Sequence, residues 1–231
     1  MNAVITGASK GIGKAIALKF AEAGYDVLLC SRTEETLQHT ALELASLFPQ
    51  ISVKFMAADL SKKEQCIEFG NWCNGFGNTS ILVNNAGIYL PGNCISEEDS
   101  LDEMLKTNLF SAYYTTRIIA AKMIEERAGH IFNMCSIASL NAYEGGGSYS
   151  ISKYALHGFS KNLRHELKEY GIKVTSVFPG AVFTDSWKGF DNSNNRIMKP
   201  EDIAEMVVAC SRLSPQAVVE DLIIRPQLGD L

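Results

Sequence analysis

Apolar runs of four to eight residues alternate with helix-period stretches along the whole chain. The runs at 3–6, 25–30, 51–57, 81–84, 130–135, 172–178 and 218–224 predict seven strands. Between them, residues 12–23 carry apolar side chains at 12, 16, 17 and 20, a helical period that Gly24 closes. Further helices are predicted over 34–48, ended by Pro49, and over 61–73, where Ser61 and Glu64 have capping-box spacing. Others cover 96–127, interrupted at Asn108, then 148–170, and 200–213, with Pro200 in its first turn. Strands alternating with helices imply an α/β fold, a single doubly wound Rossmann-type domain with a seven-stranded parallel sheet and helices on both faces. No repeat or linker divides residues 1–231. The segment 185–199 has no clear period and is the candidate substrate loop.

Composition narrows the class without altering the fold. With 46% hydrophobic and 20% charged residues, the 231-residue chain has the material for a real core. A net charge of −5 gives no reason to expect nucleic acid or an anionic membrane surface as partner. No apolar run reaches the ~20 residues of a membrane span, and the N-terminus enters a strand without a basic leader. The six cysteines form no C-x-x-C pair and do not cluster with the four histidines, so neither zinc nor a disulfide framework is expected. They read as mostly buried thiols of a cytoplasmic protein, Cys135 included.

Two stretches carry candidate chemistry. Thr6-Gly7-Ala8-Ser9-Lys10-Gly11-Ile12-Gly13 lies between the first strand and the first helix. Its glycines permit a tight turn and let backbone N–H groups approach a pyrophosphate at the helix N-terminus, although the spacing is G-x-x-x-G-x-G rather than G-x-G-x-x-G. Tyr149 and Lys153, four apart in a predicted helix, share a face, and an ammonium beside a phenol lowers the phenol's pKa.

Together with Asn84-Asn85-Ala86-Gly87, Ser136 and Pro179-Gly180, these stretches resemble the short-chain dehydrogenase/reductase family, single-domain type. The motifs keep the family's order from residue 3 to at least 225. The resemblance implies that Tyr149 is the general acid in carbonyl reduction, that Lys153 lowers its pKa and holds the nicotinamide ribose, and that Ser136 donates to the substrate oxygen. It implies that Asn108 sits at a helical irregularity that holds a water joining Lys153 to solvent.

The resemblance also assigns the cofactor-binding residues. Gly7, Ser9, Lys10, Gly11, Ile12 and Gly13 form the phosphate loop; Asp59 and Leu60 meet the adenine; Asn85, Ala86 and Gly87 pass the ribose. Pro179, Gly180, Val182 and Thr184 lie along the nicotinamide. The second strand ends in Cys30-Ser31-Arg32, without the carboxylate that would hold an NAD ribose. Ser31 and Arg32, with Lys10, therefore point to NADP(H), Arg32 pairing with the 2′-phosphate. The plain alternative for Arg32 is an exposed residue before a helix, and for Asp59 a helix cap.

The reading expected is an NADP(H)-dependent reductase of a ketone, aldehyde or 3-oxo compound. An NADP-binding sensor on the same fold needs the cofactor loops but not the catalytic set, and an extended-type epimerase needs a larger C-terminal region. Relatives often pair through the helices at 100–127 and 148–170, so a homodimer or homotetramer is expected. Tyr89, Leu140, Tyr143, Trp187 and Phe190 are candidate walls for the substrate.

Overall fold

Strand β1 (Asn2–Thr6) is buried at all five positions; Ala3 and Ile5 enter one apolar cluster and Val4 enters another. The alternation repeats in β2 (Asp26–Ser31), where Val27 and Leu29 face one cluster and Leu28 and Cys30 the other. Successive side chains on a strand point to opposite faces, so a run apolar at every position requires cover on both. This computed structural model describes residues 1–95, 97, 99–143 and 145–230.

The cover comes from helices. In chain order the elements after β1 and α1 (Gly11–Glu22) are β2, α2 (Glu34–Leu47), β3 (Val53–Ala57), α3 (Lys63–Asn74) and β4 (Thr79–Asn84). Then follow α4 (Leu101–Leu105), α5 (Ser111–Glu126), β5 (Gly129–Met134), α6 (Gly147–Leu167), β6 (Ile172–Pro179), α7 (Pro200–Ser211) and β7 (Asp221–Ile224). Phe20 of α1, Leu37 of α2 and Val207 of α7 fill one face; Phe69 of α3, Ile119 of α5 and Leu167 of α6 fill the other. All seven strands are parallel, in the order β3-β2-β1-β4-β5-β6-β7. The order reverses between β1 and β4, and the crevice beyond their carboxyl ends is where such sheets bind ligands.

Several expectations shift. β3 starts at Val53 and β7 at Asp221, each later than the apolar runs suggest. The helix expected from 96 starts at Leu101; Ser96 lies outside the described residues, as do Glu144, before Gly145-Gly146-Gly147, and the terminal Leu231. The capping box at Ser61 and Glu64 does not form. α3 begins at Lys63, and the Ser61 hydroxyl donates to Asp59 Oδ1 at 2.7 Å, a charged acceptor two residues away. At α7 the reciprocal bond does appear, Lys199 N donating to Asp202 Oδ2 at 2.9 Å. Five cysteines are buried and Cys94 is exposed. No helix among the described residues is long and apolar enough to cross a membrane.

Candidate active site

The loops after β1 and β4 are tied together at the switch point. Asn85 Nδ2 donates to the carbonyls of Thr6 (3.0 Å) and Gly7 (3.1 Å), and Thr6 Oγ1 accepts from the backbone N–H of Asn85 and Ala86. This lattice leaves no room for side chains. Gly7 has φ +63°, and a Cβ on Gly13 would fall 2.2 Å from the Gly7 carbonyl oxygen. The first turn of α1 has neither a side-chain cap nor an acidic residue, so its orphan N–H groups are open to an anion.

The adenosine side is assembled at the ends of β2 and β3. Ala58 N donates to the Ser31 carbonyl at 3.0 Å, bringing Asp59 beside Arg32. Burial raises the Asp59 carboxyl, but the Ser61 hydroxyl and N–H, with Lys62 and Arg32, outweigh it and hold Asp59 below the usual range. Arg32 is exposed and makes no hydrogen bond or ion pair among the described residues. Lys10 departs from expectation. Instead of standing as a second free cation, it pairs with Asp185, because the glycine loop runs beside Thr184.

Beyond β5 and β6 opens a cavity of about 580 Å³. Ser136, Tyr149 and Lys153 line it, with Ile12, Asn85, Gly87, Pro179, Gly180, Val182 and Thr184. Ser136 is held in place by its own turn, its Oγ accepting from Ala138 N at 3.1 Å and its N–H donating to Ser139 Oγ at 3.2 Å. Tyr149 lies in the first turn of α6, with Lys153 one turn on. Lys153 Nζ sits 5.7 Å from the centre of the Tyr149 ring and donates to the Met134 carbonyl at 2.7 Å.

Burial dominates the titration of this pair. It pushes the Tyr149 phenol up to about 12, against a hydrogen bond from Ser136 that lowers it. It pulls the Lys153 ammonium down to about 8. The depressed phenol expected from the Tyr–Lys spacing is therefore corrected: the ammonium faces the ring and a backbone carbonyl instead of the hydroxyl, and desolvation wins. Cys135, adjacent, is buried and raised to about 12 by desolvation, which suits a structural thiol.

Asn108 lies in a π-turn, Lys106–Phe110, between α4 and α5. Its Oδ1 accepts from Ile88 N at 2.7 Å, and its Nδ2 donates to the Ile88 carbonyl at 3.0 Å and to Ser152 Oγ at 2.9 Å. The wider turn rotates the amide out of the helix ladder and onto the strand-end segment above Lys153.

A family model described as short chain dehydrogenase matches residues 1–195. The chain belongs to the short-chain dehydrogenase family. A Staphylococcus aureus relative described as an uncharacterised oxidoreductase is 34% identical over 226 residues, covering 97% of this chain and 96% of its own. The sepiapterin reductase of Chlorobaculum tepidum is 34% identical over 239 residues, covering 99% and 97%. Among solved structures, a metagenomic short-chain oxidoreductase in complex with NADP is 30% identical with TM-score 0.86, over 98% of this chain and 97% of that one. An alcohol dehydrogenase from the archaeon Thermococcus sibiricus, complexed with 5-hydroxy-NADP, is 29% identical with TM-score 0.88, over 98% and 96%.

In this short-chain dehydrogenase, ten of the expected site residues line one cavity. Gly7, Ser9, Gly11 and Gly13 build the loop beside it, while Ser31, Arg32, Asp59 and Leu60 lie outside its lining, at the ends of β2 and β3. Among the lining residues that the sequence does not single out are Ile88, Asn141 and Asp230. The hydrogen-bonded position of Ile88 against Asn108 had no sequence signal. Asp230 comes from a tail that Arg196, 34 residues back, ties to the 185–199 segment.

Proposed function

We propose that the protein reduces a carbonyl compound to an alcohol with NADPH, Tyr149 acting as general acid. The observation that carries this reading is the meeting of Ser136, Tyr149 and Lys153 in one cavity with the glycine-loop residue Ile12 and with Gly180, Val182 and Thr184. A phenol raised to about 12 is protonated near pH 7, which suits a proton donor and hence the reductive direction. Ser136, lining the same cavity as Tyr149, polarises the substrate oxygen as negative charge develops there. Lys153, at about 8, is mostly charged at pH 7 and resupplies the proton to Tyr149, the Asn108 turn holding the water that joins Lys153 to solvent.

The residues present fit NADP. The uncapped α1 N-terminus and the loop free of side chains at Gly7 and Gly13 would hold the pyrophosphate; Arg32 would meet the 2′-phosphate; Asp59 and Leu60 the adenine. When bound, the cofactor supplies hydride to the carbonyl carbon. We take residues 1–231 as one catalytic domain, with 185–199 as its substrate loop, working in the cytoplasm as a homodimer or homotetramer. Exposed Tyr113 on α5 and Ile151 and Tyr154 on α6 are the apolar surface offered for association.

The test is NADPH absorbance followed against a panel of 3-oxoacyl thioesters, diketones, pterins and sugars. Turnover of at least one carbonyl class is expected. NADPH binding with no turnover on any of them would return the sensor reading.

A further inference from the structure

The chain beyond β7 folds back on the site. Gly180 N donates to the Ile224 carbonyl at 2.8 Å, and a turn closed by Gly229 N on the Pro226 carbonyl at 2.9 Å reverses the chain. Two arginines then fix its end. Arg196, within the 185–199 segment, donates to the carbonyls of Gly229 (3.0 Å) and Asp230 (3.1 Å), and Arg225 Nη1 donates to Asp230 Oδ2 at 2.6 Å. The backbone bonds set where the residue sits, and the side-chain bond sets which oxygen is used. Asp230 Oδ1 makes no hydrogen bond to protein among the described residues and lies 3.0 Å from where a side chain on Gly180 would begin. Gly180 and Asp230 both line the cavity that holds Tyr149.

The remaining wall limits what that oxygen meets. Among the described lining residues only Asp230 and Lys153 are ionised, and Lys153 is engaged by the Met134 carbonyl. No free cation awaits an anionic substrate. The opposite side is aromatic: Tyr89 stands edge-on to Tyr149 with ring centres 5.1 Å apart. Tyr143 lines the same wall and lies against Gly146, where a Cβ would meet its ring at 2.4 Å. Aromatic edges and faces favour a flat, conjugated partner. A carboxylate oxygen with open lone pairs favours an N–H donor, because leaving it unpaired under a bound substrate would cost its full desolvation.

We propose that Asp230 is a substrate-binding residue and that the site takes planar, conjugated carbonyl compounds bearing an N–H donor, neutral or cationic. This rests on the reductase reading, naming its substrate class. A solely structural role for Asp230, as partner of Arg225, is the competing account.

The test pairs isatin, a planar ketone with a ring N–H, with N-methylisatin, using butane-2,3-dione as a small carbonyl without an aromatic ring or an N–H. NADPH oxidation is measured for wild type, Asp230→Ala and the shape-conserving Asp230→Asn, each first shown to melt cooperatively. The wild type is expected to favour isatin in kcat/KM by roughly 10- to 100-fold, the worth of one hydrogen bond to a charged group. Asp230→Ala is expected to bring that ratio to near one by raising KM for isatin, and Asp230→Asn to give an intermediate ratio. A wild-type ratio near one, or a ratio that survives Asp230→Ala, overturns the proposal; if the alanine variant does not fold, survival in Asp230→Asn does so. Turnover of butane-2,3-dione without isatin overturns this inference alone. Failure of all three carbonyls overturns the reductase reading with it.

Discussion

Replacing Gly13 by alanine tests the nucleotide loop most sharply. The new Cβ would lie 2.2 Å from the Gly7 carbonyl oxygen and 2.4 Å from Asn85 Nδ2, so that carbonyl must retreat by about 1 Å to reach ordinary contact. Gly7 cannot yield freely, since its φ is +63° and its carbonyl accepts from Asn85 Nδ2. Overpacking of this kind costs about 1–3 kcal/mol, and each of the two Asn85 bonds lost adds about 1. Alanine's better helix propensity at the start of α1 returns about 1 kcal/mol. The net loss is about 1–4 kcal/mol, which for a chain of this size lowers Tm by roughly 2–16 °C. Gly158, exposed in α6 with nothing within 4 Å of its Cβ position, is the control. There alanine should stabilise by about 0.5–1 kcal/mol. Thermal melts give the stabilities, and NADPH fluorescence titration should show Kd weakened at least about 10-fold for Gly13→Ala only. A Gly13→Ala protein that melts with the wild type and binds NADPH equally well would refute the steric argument.

Arg32→Ala should weaken NADPH by roughly 10- to 100-fold in kcat/KM and leave NADH little altered; equal effects on both would remove Arg32 from the 2′-phosphate. His130 should make stability fall with acid. Its Nε2 must donate to Thr175 Oγ1, whose own proton goes to the Val219 carbonyl, so a second proton would enter buried and unpartnered at Nδ1. Burial, helped by Lys173, pulls its pKa down to about 3. The unfolded chain, titrating near 6.5, thus binds the proton first, and stability declines below pH 6.5 at up to about 1.4 kcal/mol per pH unit. Urea midpoints from pH 7 to 5 should slope less in His130→Gln, and identical slopes would contradict this. Because Lys153 titrates near 8, carbonyl reduction should fall above about that pH; a rate still rising through pH 9 would take Lys153 out of the proton path.

What the sequence discloses here follows physical range. Strands buried on both faces announce themselves because most positions in them are apolar, the buried polar exceptions such as His130 and Thr175 being hydrogen-bonded to one another, and the glycine loop because Gly7 and Gly13 have no alternative. Asn108 is legible as an interruption of helix period. The caps and the tail are not. The Ser61 N–H has two carboxylates to choose from, Glu64 and Asp59, and it and the hydroxyl both donate to Asp59, a neighbour that capping-box spacing does not weigh. Asp230 is held at the cavity by Arg225, five residues back, and by Arg196, a long-range contact that no local pattern encodes. The Tyr149 shift was misjudged for a related reason. Helical spacing places Lys153 on the same face, while the Met134 carbonyl decides where its ammonium goes.

The central claim is that Tyr149 delivers the proton. Tyr149→Phe removes one oxygen from a cavity wall and leaves the phosphate loop untouched. General acid assistance is worth about 10²–10⁴ in rate. Steady-state reduction of an accepted carbonyl should therefore fall at least about 100-fold, while NADPH titration gives a measurable Kd near that of the wild type. Retention of more than a few per cent of activity, with the cofactor bound, would contradict the account.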